Sequence, residues 1–266
     1  MAARAPKRVL AIDVGGSHVK ILATGQAEPR RLRSGPRMSA AAMCAGVQQL
    51  ADGWAFDAVA IGYPGVVRAD QPVNEPHNLG RGWVGFDYAG AFGKPVRMVN
   101  DAAMQALGAY RGGKMLFLGL GTGLGTALVV PGLVLPMELA HLPYRDATFE
   151  AYVGEQALLR DGKRKWRRRV ADVARRLRAA LQPDELVFGG GNARLLIDLP
   201  EGSRVVDNTL AFAGGFALWA ADHPAVPGAK RSAAARGAPA AGSAWPALAA
   251  GSAWPAPAAG SPEKAT

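Results

Sequence analysis

The chain has 266 residues, a formal net charge of +10 and a single cysteine. That length allows one large or two modest domains. One cysteine excludes a disulfide framework, and no apolar run is long enough to be expected to span a bilayer. The opening MAARAPKRVLAIDV starts basic, but its apolar part runs straight into a glycine-rich turn. No signal peptide is therefore expected, and a cytoplasmic location is. Strand and helix patterns alternate, which argues for an α/β fold.

The first predicted element is a hairpin over residues 11–25, AIDVGGSHVKILATG, in which two apolar runs flank a turn of glycines and a small hydroxyl residue. Next comes an Ala- and Met-rich helical pattern carrying Cys44, read as a small buried hydrophobe. In KPVRMVNDAAMQALGAY, residues 94–110, a β-branched run from Val96 to Val99 meets Asn100 and Asp101, and a helical pattern begins. Asn and Asp are both good helix caps. A carboxylate at the carboxyl end of a strand is also where open α/β folds place ligands, and phosphoryl transfer to an alcohol needs a base there. Both roles stand at this point.

LGLGTGLGTALV, residues 118–129, repeats the logic of the first hairpin. Two such loops suggest one phosphate gripped from both sides, because glycine lets backbone N–H groups turn inward and an anionic oxygen come close. The plain alternative is a pair of ordinary turns. In MELAHL, residues 137–142, Glu138 and His141 share a face if the segment is helical, and otherwise form a surface turn.

Residues 160–178, RDGKRKWRRRVADVARRLR, hold ten Lys or Arg against two Asp, a net +8 of the total. They are predicted to form a helix with Trp166, Val170, Val173, Ala174 and Leu177 inward. The outer face is a basic ridge: a solvated surface, a holder for a polyanion such as polyphosphate through arginine forks, or a nucleic-acid footprint. Gly189 to Gly191 in LVFGGGNARLL, residues 186–196, read as a tight connection from a strand to the start of a helix. A helix through Asn208 to Ala221, with Phe212, Phe216 and Trp219 in the core, is the last ordered element expected. Beyond His223 the chain is rich in Ala, Pro, Gly and Ser, and AGSAWPALA is followed at once by AGSAWPAPA. Such a segment buries too little apolar surface to offset its ordering entropy and is read as disordered.

In their order, DVGGSHVK, AIGYPGVV (60–67), NLGRGW (78–83), VNDA (99–102), LGLGTGLGTAL, MELAHL, FEAYVG (149–154) and LVFGGGNARLL resemble the ROK family of sugar kinases. The resemblance covers most of the chain up to about residue 220. Within the family it is strongest to the polyphosphate glucokinases, because the CxCGxxGC zinc cluster of other members is missing: His141 to Glu150 reads HLPYRDATFE, and no zinc site is expected.

The resemblance implies an α/β, two-lobed actin-like ATPase (ribonuclease H-like) fold with the ligand cleft between the lobes. The expected division is 1–103, 104–222 and a low-complexity tail, 223–266. It also implies that Asp101 is the general base, that Asp13 holds Mg²⁺ through water, and that amides around Gly15, Gly16 and Ser17 face the phosphates. Lys20 would neutralise charge unless strand alternation turns it to solvent. Gly121, Thr122 and Gly123 would close over the same phosphates, and Gly189, Gly190 and Gly191 would pack against adenosine. The sugar would be read by Asn100, Asp101, Glu138, His141 and Glu150, with Gly65 and Asn78 lining the pocket and Glu155 a rival for Glu150.

The implied activity is hexokinase-type transfer, with Mg²⁺ as cofactor, from polyphosphate and/or ATP to the 6-hydroxyl of glucose or a related hexose. A non-catalytic sugar-binding regulator and a basic nucleic-acid-binding protein on a retired kinase scaffold are the alternatives. The expected partners are the hexose, the phosphoryl donor and a second copy in a homodimer, with no membrane. Nucleic acid ranks lower, because the ridge belongs to a chain that resembles a phosphoryl-transfer enzyme, and a repressor of the family would be expected to carry a helix-turn-helix domain ahead of the first loop, where the room is too small.

Overall fold

The structure is a computed structural model that describes residues 8–220 and 225–227. Each predicted glycine hairpin starts a five-stranded sheet. In the first, β1 (Val9–Val14) turns back into β2 (His18–Ala23), and β3 (Arg30–Arg33) adds antiparallel to β2. Helix α1 (Ala40–Leu50), capped by the Ser39 side chain, leads to β4 (Ala58–Tyr63), which pairs parallel to β1. A small hairpin of β5 (Val67–Arg68) and β6 (Gln71–Pro72) follows, then α2 (Tyr88–Phe92) and β7 (Val96–Asn100), parallel to β4. The order is β3-β2-β1-β4-β7. All six residues of β1 are buried, as a strand covered on both faces requires, while β2 alternates.

Helix α3 (Asp101–Ala109) leaves β7 directly and leads to the second sheet. There β8 (Met115–Leu120), β9 (Leu124–Val130) and β10 (Leu133–Met137) form an antiparallel meander. A 3₁₀ turn (Leu139–His141), a short hairpin of β11 (Pro143–Tyr144) and β12 (Ala147–Thr148), α4 (Phe149–Val153) and α5 (Glu155–Leu181) come next. Then β13 (Glu185–Gly189) pairs parallel to β8, and β14 (Ser203–Val205) parallel to β13, before α6 (Leu210–Ala217). The order β10-β9-β8-β13-β14 reproduces that of the first sheet, strand for strand.

Three apolar clusters fill this frame. One joins the first sheet to α1 and α2 through Ile12, Ile61, Met43, Trp83 and Tyr88. Another joins the second sheet to α4 and α5 through Leu118, Phe188, Phe149 and Trp166. The third brings residues of both sheets, Ala60, Phe117, Ala127 and Val187, onto α3 and α6 through Ala102, Ala106 and Ala211.

Most local expectations hold, with three differences. Predicted helix 160–178 is the larger part of α5, and its inward residues are the buried ones, but Gly162 (φ 72°, ψ 161°) breaks the helix near its start. Helix α6 runs over Leu210–Ala217 rather than from Asn208 to Ala221, which lies outside the described residues. After Gly191 only a 3₁₀ turn forms, Ala193–Leu195. The repeat beyond residue 227 is outside the described residues, while Ala225 bridges to Leu133 at the edge of the second sheet.

Helices α3 and α6 cross backbone to backbone at two glycines. A Cβ on Gly108 would lie 1.8 Å from the Leu210 carbonyl oxygen, and one on Gly214 would lie 1.7 Å from that of Met104. Gly214→Ala is expected to cost about 1–3 kcal/mol through overpacking, read as a lower urea midpoint at unchanged slope. An unchanged midpoint would mean the two helices can part freely.

Candidate active site

Side chains alternate along a strand, so Asp13 lies on the same face of β1 as Ala11. The Ala11 methyl is 2.7 Å from where a side chain on Gly215 of α6 would start, so this is the face turned to α3 and α6. Asp13 is in register with Gly62 of β4, and a Cβ on Gly62 would lie 2.6 Å from Met104 Cε and 3.4 Å from Asp101 Cα. The absence of a side chain there lets the start of α3 settle beside Asp13. On its other side, the methyl of Ala102 lies 2.8 Å from a Cβ placed on Gly125 of β9. Asp101 thus sits where both sheets meet one helix N-terminus.

The electrostatics follow from this packing. Burial, then the neighbouring Asp13 charge, push the Asp101 carboxyl up to about 7; Glu138 pushes the same way, and the Ala102 N–H bond to Oδ1 opposes them. Asp13 is 9% exposed, and burial raises its pKa while Lys20 opposes the rise. Asp13 and Lys20 stand directly opposite in the antiparallel ladder, so they share a face, and Lys20 is not turned away to solvent. The Lys20 charge also helps lower the carboxyl of Asp207, beyond the triglycine turn.

The first loop is held by Gly15 N–H to His18 O (3.0 Å) and by Ser34, whose hydroxyl donates to Gly15 O (2.6 Å) and whose amide donates to Ser17 O (3.0 Å). In the second, Gly121 N–H donates to Gly123 O (3.1 Å), and Leu124 N–H donates to Glu150 Oε2 (3.1 Å). Glu155 touches that loop through its backbone N–H to Thr122 O (3.1 Å). Thr122 is exposed.

Asn100 takes the capping part and also ties down the segment that carries Gly65. Its Oδ1 caps α3 by accepting from Ala103 N–H (3.2 Å), while its Nδ2 donates to Gly65 O (3.2 Å). Asn78 Cβ lies 3.2 Å from a Cβ placed on Gly16, which ties the 78–83 segment to the first loop. The Thr126 hydroxyl donates to Met137 O (2.6 Å) and accepts from Leu139 N–H (3.2 Å), fixing the 3₁₀ turn on β9. On that turn Glu138 and His141 pair at 3.5 Å, both more than half exposed. Gly190 and Gly191 line a cavity of about 420 Å³ with Arg194, Val205, Val206, Asp207 and Asn208. Gly189 lies inward, where a Cβ would lie 2.5 Å from the Phe117 ring.

No family model matches the chain. In sequence it is 28% identical over 205 residues to polyphosphate glucokinase of Mycobacterium tuberculosis, covering 69% of this chain and 77% of that protein. Among solved structures, an inorganic polyphosphate/ATP-glucomannokinase from Arthrobacter sp. strain KM superposes with a TM-score of 0.63 at 22% identity, over 80% of this chain and 97% of that one. A ROK family glucokinase from Streptomyces griseus, solved with glucose and AMPPNP, gives 0.65 at 18% identity, over 78% and 97%. This chain has the ROK sugar-kinase fold.

Within the ROK fold several polar residues act that the sequence did not single out. Glu75 accepts from the amides of Gly82, Trp83 and Val84 (3.1–3.4 Å) and braces the segment that carries Asn78. Burial alone would raise its carboxyl, but the three N–H bonds hold it below the ordinary range. Asn192 donates from Nδ2 to Gly121 O (3.3 Å) and from its amide to Leu120 O (2.9 Å), and Asn208 Oδ1 accepts from Gly190 N–H (3.0 Å). Together they join the second loop to the triglycine turn. Only Ser34 and Asn208, as loop-prone polar residues beside turns, left any local trace.

The donor set suits a hard cation. Burial raises the proton affinity of both Asp13 and Asp101, the Asp13 charge raises that of Asp101 further, and Lys20 stands opposite Asp13. Mg²⁺ keeps several waters and needs few protein oxygens, so Asp13 fits the role of holding it through water. Among the described residues no group of three or more His, Cys, Asp or Glu is arranged to bind a metal directly.

Folded Asp101 keeps its proton to about pH 7, whereas the ordinary value is 3.8. Its ionisation therefore opposes folding: stability contributed by this group falls as pH rises from about 4 to about 7 and stays low above that. Asp101→Asn, which keeps the acceptor for Ala102 N–H, is expected to raise Tm at pH 8 and change it little at pH 4. A lower Tm at pH 8 would contradict the buried like-charge pair.

Proposed function

We propose that the protein is a sugar kinase that transfers a terminal phosphoryl group from polyphosphate or ATP to the 6-hydroxyl of glucose or a related hexose. The observation that carries this is Asp101, a carboxylate poised near neutrality at the start of a helix wedged between two glycine hairpins. Phosphoryl transfer leaves the protein little covalent work, so positioning and charge neutralisation dominate. Asp101 takes the proton of the attacking hydroxyl as its oxygen bonds to phosphorus and the bond to the departing phosphate breaks. Asn100, Glu138, His141 and Glu150 orient the hydroxyls, and a ring of donors and acceptors suits such carboxylates and amides.

Amides of Gly16, Ser17, Thr122 and Gly123, which have no protein acceptor among the described residues, face the phosphates. Mg²⁺, held through water by Asp13, would supply countercharge to the phosphates, with Lys20 beside it. The kinship in sequence to polyphosphate glucokinase supports the choice of substrates.

Three measurements test this. Asp101→Asn should lower turnover by about 10² or more, the scale of a lost general base, and wild-type kcat/KM should rise with pH to a plateau above about 7, since the base works ionised. Near-normal turnover in the variant would remove Asp101 from the role. For the donor, neutralising Arg168 and Arg169 together should raise KM for polyphosphate far more than for ATP. Equal effects would make the ridge generic surface.

A further inference from the structure

The arginines of the ridge are not equivalent. Asp172 holds Arg175 and Arg176 and accepts from the Tyr144 hydroxyl at 2.8 Å, and the Arg167 Nε donates to Leu195 O at 2.5 Å. Lys165, Arg168 and Arg169 instead line a cavity of about 280 Å³ with Tyr144, Arg145 and Asp172. Four cations line it with one carboxylate, Asp172, which Arg175 and Arg176 already hold, and of the four Lys165 is also paired with Asp161 at 3.0 Å. The Arg169 Nη1 is buried and has no hydrogen-bond acceptor among the described residues, the kind of donor that costs free energy unless an acceptor arrives.

Arg145 adds a second sign. It occupies the turn between β11 and β12 at φ 57°, a left-handed conformation that glycine adopts without strain and arginine does not. Residues held in such conformations cluster at ligand-binding positions. The turn places its guanidinium 5.4 Å from the Tyr144 ring centre, at the mouth of the same cavity.

We propose that this notch, formed by Arg145, Lys165, Arg168 and Arg169, binds phosphate groups of a condensed inorganic phosphate chain. Its relevance to a phosphoryl donor rests on the kinase reading above; the site itself rests on its own residues. Guanidinium forks match phosphate oxygens in pairs. The aromatic faces nearby are already covered, Tyr144 by Arg145 and Arg176 and Tyr152 by Arg169 at 4.4 Å. No open ring is left here for a base to stack on, as single-stranded nucleic acid binding requires, so inorganic phosphate chains are favoured over nucleic acid. The notch also joins the second glycine loop through α4: Tyr152 meets Arg169 and Glu150 meets Leu124 from the same short helix.

The test is calorimetric titration of the full chain with inorganic tripolyphosphate, which needs no turnover and so can fail while the kinase reading stands. Wild type should bind, and Arg145→Gly together with Arg169→Gln should weaken binding at least tenfold. Arg175→Gln with Arg176→Gln should change it less than threefold. Arg145→Gly alone relieves the turn, so its Tm should not fall while its affinity does, which separates lost binding from lost folding. Absence of binding by wild type, equal losses in the two double variants, or a single-stranded oligonucleotide competing as well as tripolyphosphate would overturn the proposal.

Discussion

The close approach of α3 to both sheets is the constraint from which the rest follows. A helix seated between two sheets normally stands off by the thickness of its side chains, but here small residues line the contact: Ala60 and Gly62 on one sheet, Gly125 and Ala127 on the other, and Gly108 and Gly214 where α6 crosses. That spacing places the first residue of α3, Asp101, against the buried end of β1, where Asp13 lies. Burying two carboxylates together opposes folding, and the same burial, then the Asp13 charge, lifts Asp101 into the range where a base can work near neutral pH. Packing, electrostatics and chemistry are one arrangement seen at three scales.

What was legible in the sequence was what is local. The two hairpins, the passage from β7 into α3 and the inward stripe of α5 are written in periodicity and turn residues, and they appear as read. The orientation of Lys20 needed the register of β1 against β2, which no periodicity supplies. Glu75 and Asn192 are fixed by partners 7 and 71 residues away, and a polar side chain bracing a distant backbone group leaves no local pattern. The break at Gly162 was hidden for a different reason: a lone glycine in a run of strong helix formers reads as a small cost, about 1 kcal/mol, rather than as a stop.

The doubled strand order gives two sheets whose inner faces do the same job and whose outer faces do not. Outside the first, Trp83, Tyr88 and Phe92 build an aromatic layer under α1 and α2. Outside the second, Trp166, Val170 and Val173 anchor α5, and the charged residues beyond that stripe are mostly Lys and Arg. Charge at a surface is screened within roughly 8 Å at physiological salt, so the ridge acts on what touches it rather than on the distant pair of aspartates. Its influence on a reaction at Asp101 would come through a ligand long enough to reach both.

The glycine loops narrow that reach further. Gly15 and Gly121 spend their amides within their own turns, on His18 O and Gly123 O, and Leu124 gives its amide to Glu150. A carboxylate on the second loop keeps one of its donors from any phosphate, and it fixes the loop's shape from below. The amides of Gly16 and Ser17 in the first loop and of Thr122 and Gly123 in the second have no protein acceptor among the described residues. In the proposed reaction these N–H groups, with their neighbours already satisfied, would need little rearrangement as charge develops on a phosphate, and such preorganised donors are where electrostatic catalysis draws its strength.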